Sequence, residues 1–275
     1  MCLPIDPEQR STVSIPSAAG PVVLHHRAHG QGEGVVMVHG VAGSLATSWG
    51  SLPEHLAEHH HVITVDNPGS GLSPLPDSPL NLDSLADDIA MTAENAGLER
   101  YCVVGYSMGS AIAVRHAIRH PERTATLALV TGFAKPDDRL RLALRNWRDL
   151  MDGDPQVLGR YLMHLSSGPA GLAQLDGDDI DRIAKEVGVG LQPGTRQHID
   201  LALGIDVRTD LPNLDVPTLV ISASQDILVA PSHSDELAEG IQESRLVHVQ
   251  AGHDAPSEQP AAIAAHIRAL INGGS

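Results

Sequence analysis

The sequence predicts an α/β fold in which a mostly parallel sheet carries helices on both faces, and two observations support this prediction. Short apolar runs rich in β-branched residues alternate with segments of helical pattern, which is typical of a parallel sheet buried on both sides. One long stretch, 133–210, breaks the alternation and contains no strand pattern. The predicted architecture is therefore an eight-stranded sheet flanked by helices, with a helical insertion over it.

The strands are predicted from seven apolar runs, which imply seven or eight strands in the sheet. These runs cover residues 22–26, 35–39, 62–66, 101–105, 126–131, 218–223 and 246–250. Four of the intervening segments have the composition and the length of crossover helices. These segments cover residues 82–96, 108–120, 234–241 and 260–271.

The stretch without strands is predicted to be all-helical. Leu140 and Leu144 begin a series of apolar residues at helical spacing, and a second series follows it. Glycine and proline clusters between the two series indicate short helices joined by turns. We expect a core domain of residues 1–132 and 211–275, with residues 133–210 inserted as a helical cap.

Composition and charge exclude several kinds of partner. The formal net charge is −16, from 18 Lys and Arg against 34 Asp and Glu, so the field of the chain repels phosphate backbones and anionic membranes. Two cysteines, Cys2 and Cys102, are too few for a disulfide framework. We expect a small-molecule substrate, no nucleic-acid or membrane partner, and a cytoplasmic location. The sequence carries no signal for an oligomeric state.

The residues Gly105-Tyr106-Ser107-Met108-Gly109 lie where a predicted strand runs directly into a predicted helix. Glycines two residues before and after the serine relieve crowding at a sharp turn, which exposes the serine hydroxyl at the end of the strand. The N–H groups that open the following helix face any negative charge that develops there. This context predicts that Ser107 is a nucleophile.

This turn resembles the nucleophile turn of the α/β-hydrolase superfamily, and the resemblance covers almost the whole chain, about residues 22–271. It implies a catalytic histidine after the last strand and an acid after the strand before that. His253 and Asp226 occupy these two positions. Some members of the family carry the acid after the strand that precedes the insertion, which leaves Asp137 or Asp138 as alternatives.

The segment 39–44 reads HGVAGS and resembles the family's oxyanion loop. A tetrahedral oxyanion needs two backbone donors, each worth about 10²- to 10³-fold in rate. The resemblance assigns the two donors to the N–H groups of Val41 and Met108. His39 is interpreted as structural. The turn 66–73, which reads DNPGSGLS, is interpreted as architecture and not as a nucleotide site.

The combined pattern predicts a serine hydrolase that cleaves a carboxylic ester or lactone through an acyl-enzyme on Ser107. The insertion is rich in apolar residues and poor in clustered cations, which favours a small and mostly apolar substrate. Trp147 and Tyr161 are the candidate substrate contacts. The mechanism requires no cofactor and no metal, and the histidine run 59–61 lacks the carboxylate or cysteine partners of a metal site.

Other reactions are compatible with the same triad. A tailoring or cyclising enzyme would resolve the acyl-enzyme with an internal nucleophile, and a thioesterase, C–C hydrolase or perhydrolase would use the same residues. A non-catalytic ligand-binding protein of the same fold is a further alternative. The mass of the product separates a hydrolase from a cyclising enzyme, because hydrolysis adds the elements of water and cyclisation does not.

Overall fold

The computed structural model describes residues 20–273, and it confirms the predicted α/β fold. Cys2 lies outside the described residues. The sheet has seven strands, numbered in chain order as β1 (His26–His29), β2 (Glu33–Val38), β3 (His60–Val65), β4 (Tyr101–Tyr106), β5 (Thr124–Val130), β6 (Thr218–Ala223) and β7 (Ser244–Val249).

The strands lie side by side in the order β1-β3-β2-β4-β5-β6-β7. The edge strand β1 pairs with β3 in antiparallel fashion, and every other neighbouring pair is parallel. Because parallel strands end at the same edge of a sheet, the loops after β2, β4, β6 and β7 open on one side of the molecule. These are the loops that carry the predicted catalytic residues.

The first strand departs from the prediction, and the described residues form seven strands where eight were expected. The run 22–26 was expected to pair in the sheet, but β1 begins at its last residue. The N–H of Val22 donates to Asp88 Oδ1 at 2.8 Å, and that of Leu24 donates to Thr92 Oγ1 at 2.9 Å. Because side chains of a neighbouring helix take these donors, the segment is extended without a strand partner.

Eleven α-helices and one 3₁₀-helix, Leu211–Asn213, surround the sheet within the described residues. The α-helices are α1 (Leu52–Ala57), α2 (Leu82–Asn95), α3 (Met108–Arg119), α4 (Asp138–Leu150), α5 (Pro155–Ser166), α6 (Pro169–Leu172), α7 (Gly177–Val189), α8 (Thr195–Gly204), α9 (Pro231–Gly240), α10 (Ala255–Glu258) and α11 (Pro260–Ile271). The sequence pattern does not predict α1 and α10, because six and four residues are too few to show a helical period.

Helices α4 to α8 lie between β5 and β6, and that stretch contains no strand. Asp137, Asp154 and Asp176 are the N-cap residues of α4, α5 and α7, and each side chain accepts a backbone N–H of its helix. We call α4 to α8 the helical insertion. Its division from the core at residues 133 and 210 stays a prediction.

Alternate residues of the central strands pack into two apolar clusters on opposite faces of the sheet. Val36 and Val38 of β2 face one cluster, which includes residues of α2, α3 and the helical insertion. Val35 and Met37 face the other cluster, which includes residues of α1 and α11. This period of two is what a sheet covered on both faces requires. No helix within residues 20–273 combines the length and the apolar character needed to span a membrane.

Candidate active site

Ser107 lies at a strained turn between the end of β4 and the start of α3. Its backbone has φ 55° and ψ −123°, a conformation that a residue other than glycine adopts only when its surroundings impose it. The backbone packs so closely at this turn that residues 105 and 109 have no room for a side chain. A Cβ on Gly105 would lie 2.6 Å from the Cα of Ser110, and one on Gly109 would lie 2.8 Å from the carbonyl oxygen of His39. The two glycines therefore permit the turn that the sequence predicts.

Ser107, His253 and Asp226 form a continuous line of hydrogen bonds. Ser107 Oγ lies 2.9 Å from His253 Nε2, and His253 Nδ1 lies 2.7 Å from Asp226 Oδ2. The other oxygen of Asp226 accepts the backbone N–H groups of Leu228 and Val229, both at 2.9 Å. The serine is 8% exposed, and the histidine and the aspartate are each 4% exposed. The imidazole is therefore fixed in one orientation, with Nε2 directed at the hydroxyl.

The alternative acids do not reach this line. Asp137 caps α4 by accepting the N–H of Leu140 at 2.7 Å, and it lies 3.6 Å from His233. Asp138 is an exposed residue of the first turn of α4. The structure thus brings Asp226, and neither of these two, to His253.

The loop after β2 lies against Ser107. A Cβ on Gly40 would lie 2.8 Å from the Cβ of Ser107 and 3.2 Å from its Oγ. Ala42 has a φ of 57°, a left-handed conformation that turns the chain back toward the site. Among residues 20–273, no group accepts a hydrogen bond from the N–H of Val41 or of Met108. Two backbone donors beside the serine are thus free for a ligand oxygen.

His39 fixes this loop from inside. Its Nδ1 lies 2.8 Å from the carbonyl oxygen of Gly40, and its Nε2 accepts the N–H of Asn67 at 3.0 Å. The ring is fully buried, and burial lowers the pKa of His39 to about 4, so the imidazole is neutral at neutral pH. A neutral ring that donates at one nitrogen and accepts at the other matches the structural role expected from the sequence.

The turn 66–73 also supports the oxyanion loop. The Asp66 carboxylate accepts the N–H groups of Leu45 and Leu72 at 2.8 and 3.1 Å, and it lies 2.7 Å from His25 Nδ1. Burial alone would raise the pKa of Asp66, but these hydrogen bonds outweigh it and hold the pKa below its usual value. An ionised Asp66 therefore ties the two loops together.

A cavity of about 400 Å³ opens over Ser107 and His253 between the sheet edge and the helical insertion. Most of its wall is apolar, and Trp147 of α4 is part of it. Tyr161, the second predicted substrate contact, is not among the lining residues. Its hydroxyl donates to the carbonyl oxygen of Ala143 at 3.0 Å, which joins α5 to α4. Of the two candidates, the structure therefore places only Trp147 at the cavity.

Three polar residues near His253 are not predicted from the sequence. Tyr106 directly precedes Ser107, Asp254 directly follows His253, and both line the cavity. Glu258 accepts the N–H of Gly168 at 2.6 Å and that of Gly252 at 3.0 Å. It thereby joins the His253 loop, residues 252–254, to the turn after α5. Adjacency to the two motifs was the only sequence signal for Tyr106 and Asp254, and no pattern marks Glu258.

The described part of the chain holds no group of three or more His, Cys, Asp or Glu side chains arranged to bind a metal ion. Cys102 is buried in β4, and burial raises the pKa of its thiol to about 12, so the thiol stays protonated. The groups available for chemistry at the site are therefore the serine, the imidazole, the carboxylates and the backbone donors.

Comparisons with known proteins agree with this geometry. Residues 34–168 match the family model described as alpha/beta hydrolase fold. The chain is 31% identical over 241 residues to "Putative carbamate hydrolase RutD" of Azorhizobium caulinodans, covering 85% of this chain and 88% of that protein. It is 28% identical over 233 residues to pyrrolizixenacetamide deacetylase of Xenorhabdus hominickii, covering 84% of this chain and 88% of that protein.

A solved structure of a thermophilic esterase from Thermogutta terrifontis superposes on the chain with a TM-score of 0.81. The two are 25% identical, and the match covers 96% of this chain and 99% of that chain. The sequence similarity, the sheet topology and the order of the hydrogen-bonded residues along the chain all agree with one family. The chain belongs to the α/β-hydrolase family and is an α/β-fold hydrolase.

Proposed function

We propose that this hydrolase cleaves a carboxylic ester or lactone of a small, mostly apolar substrate through an acyl-enzyme on Ser107. The observation that carries the proposal is the line of hydrogen bonds from Ser107 Oγ through His253 to Asp226, with distances of 2.9 and 2.7 Å. A serine hydroxyl is a weak nucleophile, and an adjacent base that is itself oriented by a carboxylate is the arrangement that activates it.

In the first half of the reaction, His253 Nε2 takes the proton of Ser107 as its Oγ bonds to the substrate carbonyl carbon. The carbonyl electron pair moves onto oxygen, where the N–H groups of Val41 and Met108 stabilise the oxyanion. Asp226 stabilises the imidazolium through Nδ1–H. When the oxyanion collapses, the C–O bond to the leaving alcohol breaks, and that alcohol takes the proton from His253.

In the second half, water replaces the alcohol. His253 takes a proton from the water as its oxygen attacks the acyl carbon, and a second oxyanion forms between the same two donors. Its collapse releases the carboxylic acid and returns the proton to Ser107. The strained backbone of the serine and the fixed ring of His253 hold the reacting atoms in place, so little reorganisation is needed in either half.

The cavity supports the substrate class. Its volume of about 400 Å³ is at the lower end of the range for small-molecule sites, and its wall is mostly apolar. The formal charge of −16 also disfavours a nucleic acid or an anionic membrane as a partner. The similarity to an esterase at 25% identity supports an ester as the bond that is cleaved. The low cysteine content supports a reducing compartment such as the cytoplasm.

A second candidate is hydrolysis of an amide or carbamate. The names of two relatives, a deacetylase and a carbamate hydrolase, favour it. The same residues would serve, with His253 protonating a leaving nitrogen in place of an oxygen. A panel of esters, lactones, amides and carbamates that share one acyl group separates the two candidates by kcat/KM.

The test of the proposal is the Ser107→Ala variant. We expect labelling by a fluorophosphonate probe to disappear and kcat on nitrophenyl esters to fall by about 10⁶-fold. Ser232→Ala, which changes an exposed serine on α9, is the matched control and should behave as the wild-type protein. Turnover by Ser107→Ala at even one tenth of the wild-type rate would contradict the mechanism. Product mass then shows whether water or an internal nucleophile resolves the acyl-enzyme.

A further inference from the structure

The cavity over Ser107 is lined by two acidic residues and by no basic one. These two residues are Asp254 and Glu186, and none of the lining residues is a lysine or an arginine. Glu186 is exposed and pairs with Arg182 at 3.3 Å. Asp254 lies deeper, directly after His253 in the chain. Of the two acidic residues that line the cavity, Asp254 is therefore the one beside the reacting atoms.

Asp254 lacks the partners that a structural carboxylate usually has. One of its oxygens accepts the hydroxyl of Ser257 at 2.9 Å. Within residues 20–273, no cationic side chain forms an ion pair with it, and no donor reaches its second oxygen. Burial raises the pKa of Asp254 to about 6, so the group is still mainly ionised at neutral pH. A partly buried charge without a counter-ion is a favourable partner for a ligand cation.

Tyr106 provides a second, independent observation at the same place. It is 9% exposed, and its ring centroid lies 5.3 Å from that of His253. No group of the described residues forms a hydrogen bond with its hydroxyl, whereas the other buried tyrosine of β4, Tyr101, pairs with His116 at 2.9 Å. Burial, reinforced by the charge of Asp254, holds the pKa of Tyr106 well above its usual value. The neutral phenol therefore lies in the cavity wall without a hydrogen-bond partner among the described residues.

Asp254 and Tyr106 lie beside His253, on the side of the site where the leaving group of the substrate is expected. In the proposed mechanism His253 delivers its proton to the leaving group, so groups beside its ring face the leaving group and not the acyl chain. The aromatic residues Tyr106 and Trp147 also line the cavity, and aromatic rings attract cations. Carboxylate, phenol and aromatic face are a combination that suits an ammonium group.

We infer that Asp254 and Tyr106 form a subsite for a positively charged nitrogen on the leaving group of the substrate. The inference rests on the proposed function, because it names the substrate class of the same site. Esters of amino alcohols are the class of compound that meets this description. An ester with an anionic leaving group would face the unneutralised carboxylate and bind poorly.

The test compares butyrylcholine with 3,3-dimethylbutyl butyrate, which has the same shape without the charge. We expect the wild-type protein to favour the charged ester in kcat/KM, and Asp254→Asn to lower this preference by at least about tenfold. The ratio of the two esters cancels any effect of the substitution on His253, because both esters use the same triad. Tyr106→Phe should lower the same ratio by a smaller factor.

The matched control is Asp235→Asn, which removes the same unit of net charge from an exposed position on α9. Its ratio should equal that of the wild-type protein. An unchanged ratio in Asp254→Asn would overturn the inference. If that variant fails to fold, inhibition of the wild-type protein decides the question, because choline must inhibit more strongly than 3,3-dimethylbutanol for the inference to stand.

Failure of the inference and failure of the proposed function have different signatures. If neither ester is cleaved and Ser107 is not labelled by a fluorophosphonate, the proposed function fails. Calorimetric titration with choline then still tests the subsite, because binding of the cation does not require turnover. If both esters are cleaved with equal kcat/KM by the wild-type protein, the hydrolase proposal stands and the subsite is refuted.

Discussion

The Glu258→Ala variant tests how far the helical insertion holds His253 in place. Glu258 accepts two backbone N–H groups, from Gly168 at 2.6 Å and from Gly252 at 3.0 Å. Both glycines are buried, so their N–H groups lose their hydrogen-bond acceptors when the carboxylate is removed. Hydrogen bonds to a charged group contribute about 1.5–3 kcal/mol each. Since Glu258 is itself partly exposed, we take the lower value twice and expect a loss of about 3 kcal/mol.

For a chain of this size, such a loss lowers Tm by roughly 6 to 12 °C, which circular dichroism resolves easily. The catalytic effect follows from the contact with Gly252, which precedes His253. Without Glu258 the imidazole is held less firmly, and a displacement of about 1 Å lowers kcat by about 10²-fold. Glu258→Gln preserves the shape and one acceptor oxygen, so its Tm and kcat should lie between those of the wild-type protein and Glu258→Ala.

The control is Glu239→Ala, which removes an exposed carboxylate from α9. It should leave both Tm and kcat within experimental error of the wild-type values. The reasoning is refuted if Glu258→Ala melts within about 2 °C of the wild-type protein and keeps its kcat. A lower Tm with unchanged kcat would assign Glu258 to stability alone.

Three further predictions concern groups around the triad. Gly40→Ala places a Cβ 2.8 Å from the Cβ of Ser107, so the oxyanion loop must move and kcat should fall by about 10²-fold; wild-type kcat would contradict this. Asp226→Asn removes the charge behind the imidazole, and kcat should fall by about 10⁴-fold with little change in KM. Burial lowers the pKa of His116 to about 3 in the folded protein, whereas the pKa is 6.5 in the unfolded chain. The unfolded chain therefore binds the proton more readily, and the folded protein loses stability as the pH falls below 6.5. The stability difference between wild type and His116→Gln should therefore shrink by about 2 kcal/mol from pH 7 to pH 5, as measured by urea unfolding.

The nucleophile turn could be predicted from the sequence because most of its causes are local. Gly105 is needed because of Ser110 in the same turn, although Gly109 is needed because of His39 after another strand. The strand before and the helix after the turn each show their own apolar pattern. The positions of Asp226 and His253 followed from the resemblance to the α/β-hydrolase superfamily, which implies an acid and a histidine after the last two strands.

Several features depended on partners far away in the sequence and could not be predicted. The donors of Val22 and Leu24 bond to side chains more than sixty residues later, which is why the first predicted strand pairs only from its end. Trp147 and Tyr161 each belong to a series of apolar residues at helical spacing. Only the packing of α4 against α5 turns one into the cavity wall and the other toward Ala143.

The parallel sheet and the all-helical stretch between β5 and β6 could be predicted from short-range periodicity. The three residues that lie in line at the site could be predicted from the resemblance to the α/β-hydrolase superfamily. The three-dimensional structure was needed to show that, among the described residues, Asp254 has no counter-ion and the hydroxyl of Tyr106 has no partner, and that Glu258 spans two loops. Contacts of this kind depend on how distant segments pack and on which polar groups remain unpaired afterwards, and no local pattern in the chain records either.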